Sequence, residues 1–128
     1  MWAVFDRDTH ADFDEAVMLY ADNDVRVGRS NPCFEVWLIL HVEDYDRPNP
    51  SAKVERHLAR LRREYDPDRD KCPNCAELVL EIGQAEKRAE VQLERRRRDG
   101  APFGNPSTTV HLLTREIHAA AAASARKR

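Results

Sequence analysis

Trp2-Ala3-Val4-Phe5-Asp6-Arg7-Asp8 is the stretch that decides the fold. Its apolar, aromatic-rich start predicts a short strand. The strand delivers two carboxylates, two residues apart, at its C-terminal end, where open α/β sheets place their chemistry. Alternation along an extended backbone sends residues i and i+2 to one side. Asp6 and Asp8 can then converge on one hard cation through oxygen ligands, with Arg7 pointing the other way. The competing reading is a turn with an Asx cap that feeds the next helix.

Working outward, Thr9-His10-Ala11-Asp12 has capping-box spacing, and Phe13, Ala16, Val17 and Tyr20 follow at helical intervals, predicting a helix over about 11–21. Asp22-Asn23-Asp24 turns the chain into a short strand, Val25-Arg26-Val27, which Gly28-Arg29-Ser30 is read as ending. The opening is therefore strand, helix, strand, the unit of a parallel sheet. Asn31-Pro32 offers an N-cap and a proline at the first helical position of a helix over 33–42. That helix is apolar nearly all round, which places it deep. Ser51 is read as the cap of a third helix with the stripe Val54, Leu58, Leu61 and Tyr65. Asn74-Cys75-Ala76-Glu77 again has capping-box spacing. It opens a long helix with Leu78, Val79, Ile82, Ala85, Ala89 and Leu93 inward, and Asn105-Pro106 starts a last helix on Val110, Leu113 and Ile117. The reading is α/β: a small parallel sheet with flanking helices, one domain over residues 1–118 and a frayed, Ala-rich basic tail over 119–128.

A chain of 128 residues suits one domain with a real core. It contains no run of 18 apolar residues and no basic-then-apolar leader pattern, so we expect no membrane association and a cytoplasmic location. Three cysteines fit a reducing compartment better than a disulfide framework. The net charge of -2 is unevenly spread: residues 1–50 carry four Arg against eleven Asp or Glu, whereas the rest of the chain is net basic. An acidic half holding the aspartate pair and a basic half facing an anion would suit a metal-assisted enzyme acting on nucleic acid; ordinary solvated surfaces show the same asymmetry.

Glu35 interrupts the apolar helix. A carboxylate there is costly unless paired, so it is a candidate third ligand or catalytic base; the alternative is a first-turn glutamate favoured by the helix dipole. His41 lies six residues on, about 240° round the helix, and cannot share the face of Glu35. It is a candidate catalytic residue or a hydrogen-bonded histidine at the helix end. Cys72-Pro73-Asn74-Cys75 resembles half of a zinc knuckle without its second half, and His57 and His111 are single histidines on separate helices. Arg95, Arg96, Arg97 and Arg98 are candidate phosphate contacts, but cations also complement a helix C-terminus and no aromatic residues interleave with them.

Together these pieces resemble the RloB-like family. The matching segments are residues 2–8, then Ser30-Asn31-Pro32-Cys33-Phe34-Glu35-Val36-Trp37-Leu38-Ile39-Leu40-His41, and Asn105-Pro106-Ser107-Thr108-Thr109-Val110. The middle segment is the most specific. The resemblance implies a Toprim-like, metal-dependent nuclease of phage-defence, abortive-infection or restriction-linked systems. It also implies an AAA- or ABC-type ATPase partner, nucleic acid as substrate, and Mg2+ (or Mn2+) held by Asp6 and Asp8. Glu35 and His41 occupy characteristic family positions. Family members carry a further strand ending in a Toprim glutamate before the Asp-x-Asp strand, so the expectation is a domain incomplete at its N-terminus. The alternative from another class is a non-catalytic interaction module, docking on the ATPase or on the missing half. Self-association as a homo-oligomer is compatible with either.

Overall fold

The computed structural model describes residues 1–8, 12–62, 65, 66, 68 and 75–126. Among these the elements run β1 (Trp2–Asp6), α1 (Phe13–Asp22), β2 (Arg26–Asn31), α2 (Glu35–Leu40), α3 (Ser51–Leu61), α4 (Cys75–Arg98), β3 (Ser107–Thr108) and α5 (Val110–Arg126). β1 and β2 pair in parallel, from Trp2 opposite Arg26 to Asp6 opposite Ser30. The α/β class and the strand-helix-strand opening are as the sequence predicts. The sheet, however, is mixed, because β3 adds to β2 antiparallel through Ser30 opposite Thr108 and Asn31 opposite Ser107.

Two local readings are corrected by this sheet. Gly28 does not end β2; it lies mid-strand opposite Val4, and the strand continues to Asn31. A Cβ built at Gly28 would stand 3.5 Å from Val4 Cγ2 and 3.7 Å from Val110 Cα, ordinary contact distances. Asn31 is likewise the last strand residue and not a helix cap. Its amide nitrogen donates to the Phe103 carbonyl at 2.7 Å, and α2 starts later, at Glu35. The peptide bonds Asn31-Pro32 and Asn105-Pro106 are both cis.

Where the sequence predicts the start of a helix after Asn105-Pro106, the chain first forms β3. Three threonine contacts explain it: Thr109 Oγ1 accepts from the Arg29 amide and donates to the Val27 carbonyl, while Thr108 and Ser30 hydroxyls bond at 2.9 Å. These side chains compete for backbone partners that a helix would have used internally.

α2 is the centre of the core. Val36, Ile39 and Leu40 are fully enclosed, and Val54 and Leu58 of α3, Ala85 and Ala89 of α4 and Val110 of α5 close around them. Each Val, Leu or Ile side chain among these contributes roughly 1.5–3 kcal/mol relative to exposure. The stripe of α4 is narrower at its start than periodicity suggests: Val79 is 71% exposed, and burial begins in earnest at Ala85. Ile117 is also exposed, so α5 is anchored through Val110 and His111. From residue 119 the alanine-rich stretch is helical through Arg126 with every side chain exposed, held by helix propensity rather than packing. No helix among the described residues is long and apolar enough to cross a membrane.

Candidate functional site

The C-terminal end of β1 meets the start of α2 and the start of α3. Phe5 packs edge-on against Phe13 at 5.6 Å and near Tyr20 at 5.8 Å, so its side of the sheet is the α1 side. Arg7 follows it there, with its guanidinium 5.5 Å from the Phe13 ring centroid and 3.5 Å from Asp14 Oδ1. Strand alternation sends Asp6, between them, to the opposite side. The ladder closes with the Arg7 amide on the Ser30 carbonyl, after which Asp8 bends to donate its amide to the Pro32 carbonyl at 3.1 Å. Asp8 is therefore placed by this bend and not by strand alternation.

Asp8 Oδ2 accepts a short hydrogen bond from Ser51 Oγ. This contact revises the capping assignment of Ser51: Pro50 occupies the N-cap of α3, and the Ser51 hydroxyl reaches 43 residues back to the strand tip. Behind it lies Cys33, buried, whose thiol contacts both Ser51 and Glu35; burial first, and the Glu35 carboxylate beside it, push the thiol up to about 12. The thiol is protonated and is no nucleophile at neutral pH.

Glu35 is only 8% exposed, at the first turn of α2, and accepts a hydrogen bond from the Tyr65 hydroxyl at 3.2 Å. Burial and the Glu35 charge push the Tyr65 hydroxyl well above its usual range, so it stays a donor. Tyr65 appeared in the sequence only as an apolar stripe residue. It lies beyond α3, and nothing in its local pattern announces a polar contact. Asp8, Ser51, Cys33, Glu35 and Tyr65 thus form a continuous run of contacting polar side chains from the strand tip into the core.

Among the described residues no group of three His, Cys, Asp or Glu side chains gathers as a metal cage. Mg2+ commonly takes one or two protein carboxylates and completes its shell with water and substrate phosphate, so Asp6 and Asp8 are the residues of the strand tip that could hold one. Ser51 orients the Asp8 carboxylate through Oδ2.

His41 sits at the other end of α2, buried, with Nδ1–H donating to the Trp37 carbonyl at 2.9 Å and its ring edge-on to Trp37 at 4.8 Å. Burial holds its pKa below the usual imidazole range. Its surroundings are those of a helix-end histidine. Of the arginine run, Arg96 is nearly enclosed and bridges Asp46 at 2.7 Å and Asp99 at 3.0 Å, and Arg95 also faces Asp46, at 3.7 Å. Arg97 and Arg98 make looser pairs with Glu94, both at 3.6 Å.

Cys72 lies outside the described residues, and Cys75 is exposed at the start of α4. His57 and His111 face separate carboxylates, Glu43 at 2.6 Å and Glu90 at 3.0 Å.

A family model described as RloB-like protein matches residues 1–117. No curated protein and no solved structure matches the chain.

Proposed function

Because the chain belongs to the RloB-like protein family, on a match covering residues 1–117, we propose that it is the Toprim-like nuclease component of a phage-defence system. It would cleave phosphodiester bonds of nucleic acid and work beside an AAA- or ABC-type ATPase. The observation that carries this reading is the placing of Asp6 and Asp8 at the C-terminal end of β1, beside the parallel strand β2, with Asp8 oriented by Ser51. In an open α/β sheet that end is where ligands collect.

Asp6 and Asp8 would hold Mg2+ or Mn2+, which supplies Lewis-acid stabilisation of the charge that builds on the phosphoryl group. The chain's own contribution is positional. Ser51 fixes one Asp8 oxygen, and Cys33 and Glu35, held by Tyr65, back Ser51 from the core. Glu35 acts as a buried support of this run, and His41 as the polar end of α2.

The test is cleavage of plasmid DNA, single-stranded DNA and RNA by the full chain with Mg2+, with Mn2+ and with chelator. Asp6→Ala and Asp8→Ala should each lower metal-dependent cleavage by at least about 100-fold. Cleavage that persists in both variants would remove the metal assignment.

One observation favours the interaction module instead. β1 lies at the edge of the described sheet, with Val4 48% exposed, and an edge strand invites pairing with another chain. An inactive chain that forms a stable complex with its ATPase would decide for this second reading.

A further inference from the structure

The arginine run lacks interleaved aromatic residues in the sequence, and the fold supplies one. Arg29 of β2 lies opposite Phe5, on the α1 side of the sheet, and its guanidinium carbon sits 3.6 Å from the centroid of the Phe103 ring. The loop carrying Phe103 is fastened to the end of β2 by the Asn31 amide, so this stack is built into the strand end.

Arg29 has less compensation than a purely structural cation needs. Its Nε is buried with no hydrogen-bond partner among the described residues. Asp14 favours its charge from a distance but is bonded to Arg7 instead. Burial first, then the nearby Arg97, lower Arg29 to about 10, which leaves it protonated at neutral pH beside a second guanidinium. Among the described residues Arg97 pairs with Glu94, loosely at 3.6 Å. Arg97 lies in the last turn of α4, where its carbonyl accepts from the Gly100 amide at 3.0 Å as the chain turns into the loop carrying Phe103; two partly neutralised like charges at one end of the fold favour an anion between them.

Beside the stack runs a groove of about 460 Å3, whose lining includes Arg7 with its partner Asp14, Met18, Pro102 and Phe103. Phe103 remains 40% exposed although Arg29 covers it. Cations next to an accessible aromatic and an apolar groove are the elements with which proteins track single strands.

We infer that Arg29, Arg97 and Phe103 form a binding site for single-stranded nucleic acid, in which the two guanidiniums hold a backbone phosphate and the groove beside Phe103 takes a base. The inference rests on the nucleic-acid reading above and deepens it. Arg29 immediately precedes Ser30, the partner of Asp6, so the phosphate site lies at the same strand ends as the aspartate pair and on the face opposite Asp6. Of the four-arginine run, Arg97 is the member assigned to the strand.

The experiment is fluorescence anisotropy of a labelled oligothymidine with the full chain, in chelator so that neither metal nor cleavage contributes, between about 50 and 200 mM salt. Arg97→Gln should weaken binding several-fold and lower the salt slope by about 0.7, the loss of one single-strand phosphate contact. Phe103→Ala should weaken binding roughly tenfold with the slope kept, as for a lost stack. Arg98→Gln should bind as the wild type does. Arg97 is exposed, so its variant keeps the fold; circular dichroism checks the Phe103 variant. Wild-type binding matched by both variants, in affinity and slope, would overturn the site and leave the nucleic-acid reading standing. No binding by the wild type would overturn both.

Discussion

The Tyr65 hydroxyl donates a hydrogen bond to Glu35 Oε1 at 3.2 Å, joining two buried side chains that stand 30 residues apart. The contact satisfies a carboxylate in the core and ties the segment after α3 to the first turn of α2. Tyr65→Phe should therefore cost about 1–3 kcal/mol, the penalty of leaving a buried acceptor without its donor. Urea denaturation of the two proteins measures it, and a variant as stable as the wild type would show that Glu35 is satisfied without Tyr65.

Ser51 ties α3 to the strand tip through Asp8. Groups that orient a metal-bearing carboxylate typically contribute about 10- to 100-fold to metal affinity. Ser51→Ala should weaken Mn2+ binding by about tenfold in isothermal titration, and Ser51→Thr should restore most of it. Equal affinity in the alanine variant would leave Ser51 a structural contact only.

Two buried histidines set a pH dependence. His111 has no exposed surface; its Nε2–H faces Glu90, and its Nδ1 is buried without a partner among the described residues. Protonating Nδ1 would bury both a charge and an unmatched donor, so burial holds His111 below the usual range, as it does His41. On Glu90 burial acts upward but is outweighed by the hydrogen bond from His111 and by Arg115, and the carboxyl stays low. With the histidine values lowered in the folded state, the unfolded chain binds more protons. This stability is complete above the unfolded histidine value of about 6.5 and is lost as pH falls through the folded values. Urea midpoints should fall between about pH 7 and pH 5, with a slope of up to about 1.4 kcal/mol per pH unit for each histidine. His111→Gln should flatten that slope; an unchanged slope would contradict the assignment.

The arginines of the run differ in what they hold. Arg96, with its side chain 11% exposed between Asp46 and Asp99, braces the end of α4 against the loop after α2, whereas Arg98 is 77% exposed. Arg96→Ala should cost about 1 kcal/mol, from the lost packing of its enclosed stem and its pairs with the partly exposed Asp46 and Asp99, and Arg98→Ala no more than about 0.5 kcal/mol. Thermal unfolding of the pair checks the difference, and equal losses would refute it.

Periodicity and local chemistry along the chain are enough for part of this fold. β1 and the α1 crossover, the depth of α2 and the presence of α3 and α4 follow from apolar spacing, because that spacing states which face must leave water; the α3 stripe read as far as Tyr65 overruns the helix, which ends at Leu61. The aspartates at the tip of β1 were legible for the same reason. What failed were the readings in which a polar side chain has several partners to choose from. Asn31 and Ser51 have the chemistry of helix caps, yet Asn31 goes to Phe103 and Ser51 to Asp8. Gly28 has the chemistry of a breaker, yet the neighbouring strand β1 holds it extended. The two-residue β3 is too short for any periodicity and exists because Thr108 and Thr109 find β2. Tertiary structure alone decided these, and with them the polar run from Asp8 to Tyr65 and the stack of Arg29 on Phe103. A hydrogen bond or ring contact between residues 30 to 80 positions apart leaves no local pattern; it is chosen only when the packed core has fixed which groups face one another.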